Sequence, residues 1–251
     1  MKEYPDKYCD FDSQHEPVLD IHDLKVSLGN TQVVKGISFN VYKDQIVAIV
    51  GPNGAGKTTT LKAISGVIKC VEGSIEFMGQ PVENLPVFER VQKGIVYVPE
   101  GMQVFRFMTV LENLEIGGYQ NRVHLKTQMD MVLELFPDLK DGLKKMARYL
   151  SGGQQRMLTI GRGLMSGARI LLLDDPFLGL TPKAIDHLTE TLEEVRARGF
   201  TLMIAGQHVK RIVAISDVVH LIEEGKITLS DTGKNILQDD HFQKTLFGTI
   251  F

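Results

Sequence analysis

The stretch IVAIVGPNGAGKTTT, residues 46–60, constrains the fold more than any other part of the chain. An apolar run leads into Gly51-Pro-Asn53-Gly54-Ala55-Gly56-Lys57-Thr58, the spacing G-x-x-x-x-G-K-[ST], and a helical pattern follows from residue 57 to about 67. Glycines let the main chain wrap closely, so that amide N–H groups converge on an anion, and the N-terminus of the next helix adds its dipole. Residues 53–59, ending at Thr59, therefore read as a phosphate cradle. Lys57 reaches the β- and γ-phosphates, and Thr58 places its hydroxyl on Mg²⁺.

A second strand carries the other half of this chemistry. In RILLLDD an apolar run ends on two adjacent carboxylates, Asp174 and Asp175. Proteins with such a cradle hold Mg²⁺ with an acid at the end of a neighbouring apolar strand, which assigns Asp174 to the metal. Further strand patterns are VLDIHDLKVSL, ISFNVYKDQIVAIVG, GSIEFMG, GIVYVP and TLMIAG. Helical patterns lie at about 124–136, 152–166 and 182–198. Strands alternating with helices indicate an α/β fold with a mostly parallel sheet. The region from about 86 to 168 is richer in helix and reads as a helical subdomain inserted into that core.

Composition narrows the rest. The chain has 251 residues, a net charge of -3 and a sequence pI of about 6.2, so no basic surplus points to nucleic acid. No apolar run reaches the roughly 18 residues of a membrane span. Residues 1–16 are charged, lack the apolar core of a signal peptide and read as a polar tail. Cys9 and Cys70 are far apart and without metal-type spacing, and are expected to be reduced thiols.

Between the two motifs stands YLSGGQQRMLTIGRGLMSGARILLLDDP. With the cradle before it and the acid strand after it, this segment resembles the ATP-binding subunits of ABC transporters, and the likeness runs from about Val18 to the C-terminus. The resemblance implies a P-loop NTPase core with an N-terminal antiparallel β portion, and residues 17–251 as one ABC ATPase domain. It also implies that Ser151, Gly152, Gly153 and Gln154 close on the γ-phosphate of ATP held by a second ATPase subunit, in a head-to-tail dimer. Within the family, VYVPEGMQVFRFMTVLENLEIG, LGLTP and LFG are similar to the ATPases of branched-chain amino-acid uptake. That likeness implies integral membrane permease subunits as partners, an extracytoplasmic solute-binding protein acting indirectly, and a place on the cytoplasmic face of the membrane. Glu100 stands where most members carry glutamine, a residue that touches Mg²⁺ or its water and senses the membrane subunit.

Three positions depart from the family pattern. The water-activating glutamate is replaced by Asp175, shorter by about 1.5 Å of reach. The adenine-stacking aromatic is replaced by Leu28, with Phe39 and Tyr42 nearby read as core or surface residues. The late histidine that contacts the γ-phosphate aligns with Gln207; a one-residue shift would give that role to His208 instead, which otherwise reads as a water-exposed helix start. Two readings follow from Asp175 and Leu28: a working ATPase, or a nucleotide-holding partner of low turnover. A soluble ABC ATPase acting on ribosomes or DNA is the third, disfavoured by a single cassette without heptads. Met102, Val104, Phe105, Phe107 and Met108 form an apolar cluster that is either buried in the helical subdomain or a partner face.

Overall fold

The computed structural model describes residues 16–101, 103–120 and 122–248. It opens with β1 (Leu19–Leu28) and β2 (Thr31–Val41), followed by β3 (Ile46–Val50), α1 (Lys57–Ile64), β4 (Glu72–Phe77) and β5 (Gln80–Pro81). Next come α2 (Val87–Lys93), β6 (Ile95–Val98), α3 (Val110–Gly117), α4 (Leu125–Leu135), α5 (Pro137–Lys140) and α6 (Gly152–Met165). The last part holds β7 (Ile170–Asp174), α7 (Pro182–Ala197), β8 (Thr201–Ala205), α8 (Val209–Ile215), β9 (Val218–Glu223), β10 (Lys226–Thr232), α9 (Gly233–Ile236) and α10 (Asp240–Phe247).

Two sheets result. An antiparallel one has the order β2-β1-β4-β5, and a six-stranded one has the order β10-β9-β3-β8-β7-β6. In the second, every pairing from β9 to β6 is parallel and only β10 runs antiparallel to β9. The alternation of side chains explains why the central strands are apolar on both faces. Ile46, Ala48 and Val50 of β3, with Leu171 and Leu173 of β7, face the helices of the C-terminal half. Val47 and Ile49, with Ile170 and Leu172, face α1 and the antiparallel sheet. The parallel strands thus lie between two buried layers, and α1 is enclosed between the sheets.

Helix α1 ends at Ile64, short of residue 67, for a visible reason. The buried Arg90 donates from Nη1 to the carbonyls of Ala63 (2.8 Å), which also accepts from Gly66 N–H, and Ile64 (2.7 Å), in the last turn where intrahelical donors run out. The same guanidinium donates to Leu85 O and Glu83 O, tying α1 to the turn before α2.

The region 86–168 is not uniformly helical. β6 lies within it and pairs in parallel with β7, Val98 opposite Leu173, so its first part belongs to the core sheet. The helical part follows, built on α3, α4, α5 and α6 around Leu114, Val132, Phe136 and Leu158. Reciprocal caps start two of these helices. Thr109 and Glu112 cap α3; Ser151 and Gln154 cap α6, with Ser151 Oγ accepting from Gln154 N–H at 3.3 Å. No helix among the described residues is long and apolar enough to cross a membrane. Cys70 is a free thiol, Cys9 lies outside the described residues, and Phe39 and Tyr42 are buried.

Candidate active site

Four loops leave the parallel strands at their C-terminal ends and meet. β3 runs into the cradle, β7 ends on Asp174, β8 leads to Gln207 and β6 leads to Glu100. The register sets them side by side, with Asp174 opposite Ala205 and Ile49 also opposite Ala205. Ligands of open α/β sheets bind at this edge.

The cradle's shape depends on its glycines. Gly51 has φ 153°, and a Cβ there would stand 2.0 Å from Ile222 O, so any side chain would collide with the main chain of β9. Gly56, at φ 110°, is the N-cap of α1 and turns the chain into the helix. Lys57 folds back, its Nζ donating to Gly51 O (2.8 Å) and Pro52 O (2.9 Å). Burial lowers the pKa of Lys57, and the carboxylates of Asp175 and Asp174 oppose that shift.

The cradle joins the acid strand directly. Thr58 Oγ1 donates to Asp174 Oδ1 at 2.9 Å, and the hydroxyl of Tyr97 on β6 donates to Asp174 Oδ2 at 2.8 Å. Burial and the nearby Asp174 push the Tyr97 phenol far above its usual range, so it remains a donor. Asp175 is also buried but differently held. It has φ 44°, left-handed backbone that non-glycine residues seldom adopt, and its Oδ1 accepts from Gln207 N–H at 3.4 Å. Burial raises its pKa; the Gln207 N–H, His208 and Lys57 pull it back only in part.

A cavity of about 310 Å³ is lined by Leu28, Asn53, Gly54, Gly56, Lys57, Thr58, Thr59, Glu100, Asp174, Asp175 and Gln207, together with Val33 and Gly206. Eleven of these thirteen are legible as site residues in the sequence; Val33 and Gly206 are not. Ala55 does not line it: its side chain is buried in the core shared with the antiparallel sheet, and its carbonyl accepts from Gly225 N–H. Ser151, Gly152, Gly153 and Gln154 do not line it either; they form the first turn of α6, with Ser151 exposed.

The neighbouring residue His208 does not line the cavity; it is the N-cap of α8, a helix start as expected, but not water-exposed. It is half-buried, edge-on to Phe177 with ring centroids 6.1 Å apart. Glu100 also lines a second cavity of about 580 Å³, with Thr58, Tyr97, Gln103, Arg162 and Asp174 among its walls. The apolar cluster nearby is divided: Val104 is buried, Phe105 exposed and Phe107 80% exposed, and Met102 lies outside the described residues.

Two further residues that shape the site are not legible as such in the sequence. Tyr97 carried a signal, a hydroxyl at the end of an otherwise aliphatic strand. Arg156, buried on α6, donates to Pro99 O (3.4 Å) and Gly101 O (3.5 Å) and so ties the signature helix to the Glu100 loop; nothing in SGGQQRM foretells that contact.

Mg²⁺ suits this arrangement. It prefers hard oxygen ligands, takes one or two from protein and leaves the others to water and phosphate. Thr58 Oγ1 and Asp174 Oδ1 supply two such oxygens 2.9 Å apart beside the cradle.

Fold and site together define a P-loop nucleotide-binding protein. The sequence profile described as ABC transporter matches residues 34–178, and the chain belongs to that family. It is 38% identical over 232 residues to the high-affinity branched-chain amino acid transport ATP-binding protein BraG of Pseudomonas aeruginosa, covering 92% of this chain and 100% of the relative. It is 30% identical over 240 residues to the lipopolysaccharide export system ATP-binding protein LptB of Haemophilus influenzae, covering 93% and 98%. The crystal structure of the ADP conformation of an ATP-binding cassette of an ABC transporter superposes with a TM-score of 0.84 at 26% identity, covering 94% of this chain and 100% of the other. The chain is thus an ATP-binding subunit of an ABC transporter, and it hydrolyses ATP to drive transport.

Proposed function

We propose that this subunit hydrolyses MgATP in the cavity between the cradle and Asp174 and drives import of branched-chain amino acids or a similar small solute. The observation that carries the catalytic part is the bond between Thr58 and Asp174, with Lys57 and Asp175 lining the same cavity. In this reading the amides of residues 53–58 and the Lys57 ammonium bind the phosphates. Thr58, Asp174 and Glu100 hold Mg²⁺, which when bound neutralises charge developing on the phosphoryl oxygens. Asp175 orients the attacking water, Gln207 donates to the γ-phosphate, and Leu28 packs on the base. Ser151, Gly152, Gly153 and Gln154 serve the cavity of a facing ATPase subunit, which fits their absence from the lining of this one.

The solute rests on likeness to BraG at 38% identity; the lower identity to LptB, 30%, leaves lipopolysaccharide export as the competing cargo. We read residues 17–251 as one ABC ATPase domain with a helical insertion. It sits on the cytoplasmic face of the membrane against integral permease subunits, with a solute-binding protein acting on their outer side. The groove beside Glu100 is the face toward the permease. Uptake of radiolabelled leucine in cells lacking this chain tests the cargo: loss of uptake, restored by the wild-type chain and not by Lys57→Ala, is expected. Unaltered uptake rejects the assignment.

A second reading is favoured by Asp175. Phosphoryl transfer depends on positioning, a misplacement of about 1 Å can cost on the order of 100-fold, and Asp175 is short by about one methylene. Slow turnover is therefore expected of the purified subunit, which then acts beside a more active ATPase partner. Phosphate release at saturating MgATP separates the two readings.

A further inference from the structure

Tyr97 does not line the nucleotide cavity, yet it makes a direct bond to the carboxylate assigned to the metal. Its hydroxyl donates to Asp174 Oδ2 at 2.8 Å, while Oδ1, the oxygen on the cradle side, accepts from Thr58 at 2.9 Å. The ring is half-buried and packs against the core between the sheets. Its strand runs parallel to β7, with Tyr97 opposite Leu172, two residues before Asp174. The phenol therefore reaches Asp174 from a fixed strand, with a rigid ring and only two side-chain torsions to hold.

We propose that Tyr97 is the positioning residue for the metal-binding carboxylate. A carboxylate has two equivalent oxygens and a soft terminal torsion. Capturing Oδ2 with a neutral donor fixes the group's plane and reserves Oδ1 for Thr58 and the cation. A lysine at this place would also fix the carboxylate, but its charge would compete with the ion; a hydroxyl donates without that penalty. Outer partners of this kind contribute about 10- to 100-fold to metal affinity when removed. The inference rests on the reading of Asp174 as the Mg²⁺ carboxylate.

The test is the affinity of a fluorescent, non-hydrolysable ATP analogue for wild type, Tyr97→Phe and Asp174→Asn, each titrated with Mg²⁺ and measured separately in EDTA. Tyr97→Phe removes one oxygen and keeps the ring. In EDTA it should bind the analogue within about twofold of wild type, while the Mg²⁺ concentration giving half-maximal enhancement rises about tenfold. A chain carrying both Tyr97→Phe and Asp174→Asn should match Asp174→Asn alone, because the phenol acts only through that carboxylate. An unchanged Mg²⁺ requirement in Tyr97→Phe overturns the proposal. So does an equal loss with and without Mg²⁺, which marks a packing role. Asp174→Asn separates the two levels: if it keeps the Mg²⁺ enhancement, or if wild type shows none, the metal reading itself fails. If Asp174→Asn loses the enhancement and Tyr97→Phe keeps it, only the positioning role fails.

Discussion

Asp174 and Asp175 are adjacent carboxylates in different surroundings, which supports the separate tasks proposed for them. Asp174 takes two side-chain hydroxyls, one on each oxygen. Asp175 takes a long backbone bond and stands at φ 44°. Restoring the missing methylene with Asp175→Glu should raise phosphate release at saturating MgATP by about tenfold or more. Equal rates would show that the strained backbone already brings the aspartate into place. Another residue has its effect on stability. His220 is fully buried on β9, with Nδ1 2.7 Å from Ser230 Oγ and its ring against Phe39, and burial takes its pKa from 6.5 down to about 4. Between those values the unfolded chain binds the proton and the native one does not, so stability declines as pH drops from 6.5 toward 4. The loss should approach about 3 kcal/mol. Urea unfolding at pH 7 and pH 4.5 measures it, and His220→Phe should flatten the slope.

At the level of elements, the clearest dependence is that of α1 on Arg90. Four of its hydrogen bonds go to main-chain carbonyls, two of them at the end of the helix that begins with Lys57. Arg90→Ala should cost about 3 kcal/mol or more, because the buried acceptors lose their only charged donor among the described residues. Denaturant midpoints at constant slope would register it. Such a contact spans 26 residues and leaves no trace in local pattern. The elements that were legible had a local reason to be. β3 and β7 are apolar runs that stop at motifs, and α6 and α7 begin at Ser151 and Thr181, polar caps before helical periodicity. The hairpin β9–β10 was not read, since His220 interrupts its buried face and no motif marks its end. The first half of β2 was missed because Thr31, Gln32 and Lys35 are exposed. GIVYVP reads as a strand, but that it belongs to the core sheet and not to the 86–168 insertion is not legible, because a four-residue strand declares its sheet only through its partner.

The whole molecule is organised around the edge where four strands deliver their loops. Most of the cavity could be named from sequence because cradle, acid strand and late loop each carry residues whose chemistry fixes their role. Tyr97 and Arg156 could not, since their work consists of reaching another element. The signature turn lies outside the cavity's lining, and the proposed completion of the site by a second subunit is testable at this scale. Asp175→Asn, which should hold MgATP without turning it over, is expected to double its mass in light scattering on adding nucleotide. Adding Ser151→Arg to it should keep the chain monomeric. All of this depends on the cradle and its lysine gripping the triphosphate. Calorimetric titration of MgATP into wild type and Lys57→Ala tests that grip most directly. The account predicts an affinity lower by at least about tenfold in the variant, because a charge-assisted contact to phosphate is gone; equal affinity in a variant with unaltered folding would contradict it.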